Sequence, residues 1–239
     1  MMAHSHDSEI MELGPYLLLS QGAMDMTKVW LRPAALSAWT GADPVYPLFE
    51  RSAGAAIHAA RFLLGPDAPA IAERAARSPL SPGAFEADPA ASAPATVAAA
   101  ADALAVPADA ARLFLQLLAL PAPSKAAVQR WNGWDGKAWT AASTALVDAG
   151  HVVVGQRARA GRDIFLTGAW VELPAPDLPV ETWKLSLYGA TPAADGSVTT
   201  PLDRLVPQVP LHRLFEQAWA RWSSGDRPGF VEPPGRRRA

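Results

Sequence analysis

The residues whose types could support chemistry are few and scattered. The stretch HSHD at residues 4–7 could chelate a metal, but it lies in a polar N-terminal segment, where we expect it to be inert. His58, His151 and His212 are isolated in sequence, so we interpret them as structural or surface residues. No HExxH, P-loop or GxSxG motif occurs, and neither paired carboxylates nor an activated nucleophile are visible. We therefore expect no catalytic site, no metal and no cofactor.

Charge is unevenly distributed along the chain. Residues 1–108 carry 6 Lys or Arg against 11 Asp or Glu, and residues 172–239 carry 8 against 8. Residues 109–171 carry 7 against 4, so only this middle segment has a net positive charge, +3. A surplus of this size is weak evidence for a nucleic-acid partner by itself. The basic run Arg236–Arg238 is interpreted as a solubilising end rather than a phosphate-binding tail.

The composition excludes several classes of protein. Cysteine is absent, so the chain has no disulfide framework and no cysteine-based zinc site. The 23 prolines are spread along the sequence and rule out a long coiled coil. No apolar run approaches the roughly 20 residues that a membrane-spanning helix needs, and the N-terminus lacks a signal-peptide pattern. We expect a cytoplasmic protein without a membrane partner.

The elements that would position the basic residues begin with three predicted helices. Polar capping residues precede apolar positions at helical spacing, and Pro or Gly follows each set. The second helix is predicted to span Lys125–Trp131, and the third to run to about Ala149. The predicted caps are Asp109, Ser124 and Asp135, and the predicted breaks are Pro121, Asn132-Gly133-Trp134 and Gly150.

Two β-strands are predicted after the third helix. His151–Arg157 contains three successive valines, Ala158–Arg162 with its Gly161 indicates a turn, and Asp163–Leu166 returns as the second strand. We expect the tryptophans of the middle segment to be core residues rather than stacking platforms for bases: Trp131, Trp134, Trp139 and Trp170.

This order of helix, helix, turn, helix and hairpin over residues 109–171 resembles the winged helix-turn-helix superfamily. The stretch LVDAGHVVV at residues 146–154 is similar to the family's junction between recognition helix and first wing strand. The resemblance covers about a quarter of the chain. It implies an α+β fold, mostly helical, whose centre is a winged helix of three helices and a β-hairpin wing.

The resemblance also implies double-stranded DNA as the partner. A recognition helix lies in the major groove and reads bases from its outward N-terminal positions. The wing arginines would contact phosphates or the minor groove, and basic residues of the second helix would contact the backbone. The implied DNA-binding residues are Lys125, Arg130, Lys137, Thr140, Thr144, Arg157, Arg159 and Arg162.

The sequence departs from the family pattern on the third helix. Reading helices typically present Arg, Asn or Gln outward, whereas this one offers Lys137 and small residues, with Asp148 near its end. That pattern suits recognition of DNA shape or backbone better than sequence readout. Winged helices also serve as protein-interaction modules with the same core. Both interpretations stay open at this point.

The rest of the chain is predicted from local patterns. Ser52–Leu64, Pro69–Ala76 and Val97–Leu104 have helical spacing, whereas four prolines between Ser78 and Thr96 indicate a linker or loop. The predicted regions are 1–77, acidic and helical; 78–108, a Pro/Ala-rich linker with a short helix; 109–171, the winged helix; and 172–239, an extended connector followed by an amphipathic helix at Pro210–Ser223.

We therefore expect a bacterial DNA-binding protein, transcription-associated, with the Ala, Pro and Arg usage of a GC-rich genome. The alternative is a protein-interaction module of a larger assembly, in which the winged helix is a docking scaffold. The apolar stripe of the C-terminal helix is the predicted surface for a protein partner or self-association: Leu211, Leu214, Phe215, Trp219 and Trp222.

Overall fold

The computed structural model describes residues 10–21, 27–38, 46–192 and 196–229. The segments HSHD and Arg236–Arg238, considered above as metal and phosphate ligands, lie outside these ranges. The chain divides into two compact units, Met1–Pro69 and Ala70–Ala239. The fold class is α+β, with mainly helical elements and small antiparallel sheets.

The first unit contains a three-stranded antiparallel sheet that the sequence analysis missed. Strand β2 pairs with both neighbours, and Leu19 lies opposite Met11 and Val29. Gly14, with φ of +62°, takes the left-handed conformation in the first turn. The prediction of a helical N-terminal region is therefore wrong for this stretch, where short β-forming runs pair across turns. The strands are β1 (Ile10–Leu13), β2 (Leu17–Gln21) and β3 (Thr27–Leu31).

Helices follow this sheet. A 3₁₀ helix spans Pro33–Ala38, and helix α1 (Tyr46–Leu64) contains the predicted helix Ser52–Leu64 but begins six residues earlier. Helix α2 (Asp67–Ala76) confirms the second predicted helix and has an acidic residue in its first turn.

The proline-rich stretch contains helical turns, which corrects the prediction of a linker or loop over Ser78–Thr96, whereas the predicted helix Val97–Leu104 is confirmed and begins three residues earlier. Helices α3 (Pro89–Ser92) and α4 (Pro94–Leu104) each begin with a proline, where the missing N–H removes no helical hydrogen bond. The Asp88 carboxylate caps α3 by accepting a hydrogen bond from the Ala90 N–H at 2.9 Å. Asp88 also pairs with Arg112 at 2.5 Å, so this stretch is attached to the helix that follows.

Helix α5 (Ala108–Ala119) is the centre of the second unit. It begins after Pro107, one residue before the predicted start, so Asp109 lies in the first turn and does not cap the helix. Leu113, Leu117 and most of its other side chains are fully buried because α4 and two later helices, α7 (Gly136–Asp148) and α8 (Leu211–Ser223), pack around it. A helix that is apolar on almost every face needs such covering on several sides.

The two predicted caps that follow are confirmed. The Ser124 hydroxyl accepts a hydrogen bond from the Ala127 N–H, and the Asp135 carboxylate accepts one from the Ala138 N–H at 2.8 Å. The helices are α6 (Lys125–Asn132) and α7 (Gly136–Asp148), and the left-handed residues after them are Gly133 and Gly150, as predicted.

Three short antiparallel pairs follow α7. The predicted hairpin after α7 forms, although its paired strands are shorter than expected. A 3₁₀ helix, Thr182–Tyr188, packs on α5. The pairs are β4 (Val153–Val154) with β5 (Ile164–Phe165), β6 (Trp170–Val171) with β7 (Val180–Glu181), and β8 (Thr191–Pro192) with β9 (Val198–Thr199).

Helix α8 (Leu211–Ser223) confirms the predicted C-terminal helix. Its apolar stripe packs on α5, and Leu214, Phe215 and Ala218 are fully buried in the chain's own core. Trp222 contacts Phe114 edge-on, with ring centroids 5.7 Å apart. The structure therefore gives no support to the prediction that this stripe serves a partner or self-association: Leu214, Phe215 and Trp222 are used for folding, and Leu211 and Trp219 are half-buried against the same core.

A buried amide pair fixes α6 against α5. The side chains of Gln116 and Asn132 exchange two hydrogen bonds, at 2.8 and 3.0 Å, and the Gln116 amide also donates to the Ala87 carbonyl at 2.8 Å. Gln116 is fully buried. Because a buried amide without partners destabilises a fold, these bonds specify how the helices pack.

The described ranges contain neither a membrane-spanning helix nor a group of metal ligands. None of the helices described there is long and apolar enough to cross a membrane. Within the same ranges, no three His, Asp or Glu side chains are grouped so that they could hold a metal ion.

The amide pair gives a stability prediction. Replacing Asn132 by Ala removes both hydrogen bonds between the Gln116 and Asn132 side chains. We therefore expect the free energy of unfolding to fall by about 1–3 kcal/mol. Gln129→Ala is the control, because no hydrogen bond to the Gln129 side chain is present in the described part of the chain. Urea denaturation of both variants measures the difference, and equal effects would contradict the importance of the pair.

Candidate functional site

The outward face of α7 is open to solvent. Lys137, Thr140 and Thr144 are all exposed, as the sequence predicted for the third helix. The Thr140 hydroxyl donates a hydrogen bond to the Gly136 carbonyl at 2.9 Å, so part of its polarity is satisfied within the helix. Helix α7 packs on α5 and α6, and its outward face stays exposed in the presence of the described residues 172–192 and 196–229.

The two basic residues of α6 contact aromatic rings at different places. Lys125, the first residue of α6, lies beside α7 with its Nζ atom 5.8 Å from the centroid of the Trp139 ring. Arg130 lies over Phe85, with its guanidinium carbon 5.5 Å from that ring centroid. Both residues are exposed, so both could still reach a partner. Only Lys125 borders the exposed face of α7.

Arg162 does not have the exposed position that the sequence predicted. Its side chain is 1% exposed, and its guanidinium pairs with Glu181 at 2.7 Å and donates to the Ile164 carbonyl at 3.2 Å. An arginine held in this way cannot contact a phosphate without leaving the core and breaking both of these bonds. The expectation that Arg162 contacts DNA is therefore corrected by the structure.

The other two hairpin arginines also have partners inside the chain. Arg159 donates hydrogen bonds to the carbonyls of Leu173, at 3.2 Å, and Asp177, at 2.5 Å, although the residue as a whole is exposed. Arg157 is half-buried, with its guanidinium carbon 4.5 Å from the centroid of the Trp170 ring. One segment, residues 170–181, thus holds all three arginines.

These contacts lower the charge that the middle segment presents to solvent. Its net charge of +3 counts Arg112 and Arg162, yet both are neutralised by carboxylates outside the segment, Asp88 and Glu181. Discounting these two leaves a net charge of +1 for residues 109–171. The surface around α7 is therefore nearly balanced in charge rather than continuously positive.

A shallow groove lies between α7 and the hairpin. Its volume is about 250 Å³, and Thr144, Val147 and Val154 form its mixed apolar and hydroxyl lining. Lys125 and Asp163, of opposite charge, also border it. Small-molecule sites usually occupy roughly 300–1,000 Å³ and bury most of the ligand. This groove has room for one or two side chains of a larger partner.

Strand β4 forms one wall of this groove and is an open edge. It pairs only with β5, and no second strand adjoins it within the described residues. Its two residues are apolar yet exposed, Val153 by 42% and Val154 by 69%. An unprotected apolar edge offers main-chain hydrogen bonds to another extended strand. The geometry thus favours contact with a polypeptide.

Gly161 brings the hairpin loop against the start of α6. Its φ is +65°, and a Cβ atom at this position would lie 2.9 Å from the Cβ of Ser124. The Lys125 N–H donates a hydrogen bond to the Gly161 carbonyl at 2.9 Å. Glycine is required here both for conformation and for space, so hairpin and helix form one continuous surface.

A buried ionic cluster holds this surface to the rest of the unit. The Lys184 ammonium lies 2.9 Å from the second oxygen of Glu181 and donates to the Leu120 carbonyl at 2.9 Å. Nearby, the Tyr188 hydroxyl donates to the Ala119 carbonyl at 2.5 Å, and burial raises its pKa. The last carbonyls of α5 are therefore capped by side chains of the 3₁₀ helix.

The cluster is electrostatically coupled. Burial raises the pKa of Glu181, but the charges of Lys184 and Arg162 and their hydrogen bonds together lower it from 4.5 to about 2. Burial lowers the pKa of Lys184 from 10.5 to about 8, against the opposing effect of Glu181. Glu181 and Lys184 are therefore both charged at neutral pH.

Sequence reasoning missed Glu181 and Lys184. Both occur in VETWKL, a stretch that otherwise has apolar or β-forming residues, and they are three residues apart. Opposite charges at that spacing within an apolar stretch indicate a buried pair. That signal was present, but nothing local linked it to an arginine 19 residues earlier.

The cluster predicts a specific dependence of stability on pH. Because ionisation of Glu181 is easier in the folded chain, its stabilisation is fully present above pH 4.5 and is lost as the pH falls toward 2. The expected loss is on the order of 3 kcal/mol. Urea denaturation between these pH values measures it.

The control for this experiment replaces the cluster by apolar residues, Arg162→Met, Glu181→Leu and Lys184→Met together. The joint variant leaves no buried charge unpaired, so it should stay folded and lose less stability on acidification than the original chain. The same acid dependence in both proteins would contradict a contribution from the cluster.

Comparison of the chain with protein-family models, with curated proteins and with solved structures gave no match.

Proposed function

We propose that residues 108–171 form a winged helix that works as a protein-docking module. The order of three helices followed by an antiparallel hairpin supports the winged-helix interpretation. The observation that carries the docking function is the exposed valine edge of β4 beside the groove on α7. The expected partner is a polypeptide segment in extended conformation.

Charge argues against strong DNA binding. Winged helices that bind DNA need cations free to replace counterions at phosphates, and the hairpin arginines here are already held by residues 170–181. Lys137 lies on the outward face of α7, and Lys125 borders it. Each has an acidic residue near it: Asp135 precedes Lys137 by two residues, and Asp163 lines the same groove as Lys125. Such a balanced surface gives little electrostatic affinity for a polyanion.

The groove and the edge define the chemistry of the partner. Main-chain hydrogen bonds to β4 would give affinity, as in complexes where a peptide adds a strand to a sheet. An apolar side chain of the peptide would enter the groove next to Val147 and Val154. Lys125 and Asp163 would then favour a segment carrying both an acidic and a basic residue.

Peptide selection tests the docking function. We expect a random peptide library displayed on phage to yield binders to the full chain, and Val154→Asp to weaken them by about tenfold or more, as for a lost anchor contact. Leu63→Asp is the matched control, since Leu63 is an equally exposed apolar residue of the other unit. The absence of binders that depend on Val154 would overturn the proposal.

DNA binding is the second candidate, because the outward face of α7 stays exposed. Lys137, Thr140 and Thr144 occupy the positions from which a recognition helix reaches the major groove. The start of α6 also lies at this surface, since Lys125 is the first residue of that helix and borders the groove. This arrangement supports a few backbone contacts.

The salt dependence of binding to a labelled random duplex separates the two candidates. The logarithm of the binding constant falls linearly with the logarithm of the salt concentration, and each neutralised phosphate contributes about −0.9 to the slope. Two free lysines predict a slope of about −2, whereas all six basic residues implied by the family resemblance would give a slope of about −5. The double variant Lys125→Gln/Lys137→Gln should abolish the weak binding, and Lys28→Gln in the other unit should not. A slope near −5 would mean that the other basic residues also contact phosphates, and it would favour DNA binding over peptide docking.

A further inference from the structure

A second cavity, in the unit Ala70–Ala239, is lined by basic side chains. It has a volume of about 340 Å³ and lies where the end of α2 and the following turn meet the start of α8. Three of its lining residues are arginines, Arg74, Arg77 and Arg213, and a fourth is His212. We call it the arginine cavity. The docking module described above has no residue in it.

The start of α8 adds backbone donors to this cavity. Pro210, the residue before the helix, provides no side-chain cap, and Pro210, His212 and Arg213 all line the cavity. The first N–H groups of a helix have no acceptor within the helix itself. In a helix of thirteen residues they form a partial positive charge that favours an anion.

One residue of the cavity lining, His212, has a buried ring nitrogen without a hydrogen bond. Two buried side-chain polar atoms of the described residues lack a hydrogen bond, Glu181 Oε2 and His212 Nδ1. The Glu181 oxygen lies 2.9 Å from the Lys184 ammonium, so its charge is compensated. His212 Nδ1 has no such partner. Burial, followed by the charge of Arg74, lowers the pKa of the His212 imidazole, which is therefore neutral at neutral pH and able to donate one N–H.

The three arginines differ in how firmly they are held. Glu86 binds Arg74 through two hydrogen bonds, at 2.7 and 3.2 Å, and so fixes its guanidinium in place. Arg77 pairs with Glu73 at 3.2 Å in an exposed pair of the kind that contributes little to stability. Arg213 forms no ion pair with any residue of the described ranges. Arg77 and Arg213 are thus free to turn toward an anion.

We propose that the arginine cavity binds the phosphate group of a small phosphorylated molecule. Arg213 and Arg77 would contact the phosphate oxygens, the N–H groups at the start of α8 would donate to them, and the His212 imidazole would border the ligand. Arg74, oriented by Glu86, contributes positive charge. The cavity volume lies at the lower end of the roughly 300–1,000 Å³ typical of small-molecule sites, which fits a ligand little larger than the phosphate itself.

Glu73 gives the proposal a distinctive consequence. Its carboxylate lines the same cavity and would repel a phosphate dianion while it competes for Arg77. Replacing Glu73 by Gln removes the repulsion and releases the arginine. The affinity for phosphate should therefore rise severalfold in Glu73→Gln, whereas a site that did not involve this cavity would be unaffected.

The test uses the full chain, titrated near neutral pH at constant ionic strength set with chloride. Calorimetry and the NMR signals of the His212 imidazole follow the addition of inorganic phosphate and, separately, of glycerol phosphate. We expect saturable binding of at least one of them with a shift of the His212 signals. Tighter binding of glycerol phosphate would identify a phosphate ester as the ligand, and equal or tighter binding of inorganic phosphate would identify the free ion.

Two further variants complete the test. Arg213→Gln should weaken binding by about tenfold or more, as for a lost charge-assisted hydrogen bond, without changing thermal stability, since Arg213 is exposed. Arg204→Gln is the control, because Arg204 is an exposed arginine outside the cavity. A response that does not saturate, or an affinity unchanged in Arg213→Gln, would overturn the proposal.

Discussion

The second unit depends on a buried carboxylate, Glu181, shared between two cations. Arg162 comes from the hairpin loop, and Lys184 from the 3₁₀ helix, where its ammonium also reaches the last carbonyls of α5. Removing Glu181 would leave two buried cations without a counter-charge, which is far more costly than losing an exposed ion pair. The cluster therefore fixes the hairpin, the strand that carries Glu181 and the end of the central helix in one arrangement. The outward face of α7 keeps its position because the parts beneath it are held in this way.

The sequence was sufficient wherever the structure is determined by neighbouring residues. Ser124 and Asp135 cap helices through bonds to N–H groups three residues later, and Gly150 ends α7 in the left-handed conformation. The apolar spacing of α8 likewise predicted its buried face, since periodicity reports which side of a helix packs inward. These signals are local, so they can be read without knowledge of the rest of the chain. The order of elements in residues 108–165 followed from them.

The sequence was insufficient where a residue's environment depends on distant segments. Arg162 beside a turn glycine has the pattern of a solvated loop tip, and its burial arises from a carboxylate 19 residues away. The stretch around Asp88 has the composition of a linker, yet the pairing of Asp88 with Arg112 and the prolines at helix starts make it part of the core. The N-terminal sheet was missed because its strands are short and carry no clear alternation of polar and apolar residues. The groove on α7 was not foreseeable, since it arises from how helix and hairpin meet.

The contacts between three hairpin arginines and residues 170–181 determine which part of this chain can be moved into another protein. A module of three helices and a hairpin is commonly regarded as exchangeable, but the interactions that hold residues 108–171 reach beyond both ends of this segment. A fragment ending at Val171 would lose Glu181 and the covering helix α8, and one beginning at Ala108 would lose Asp88. The smallest transferable piece is therefore close to the whole second unit. Substitutions can change its surface, but the segments joined by the Asp88–Arg112 and Arg162–Glu181 pairs have to be transferred together.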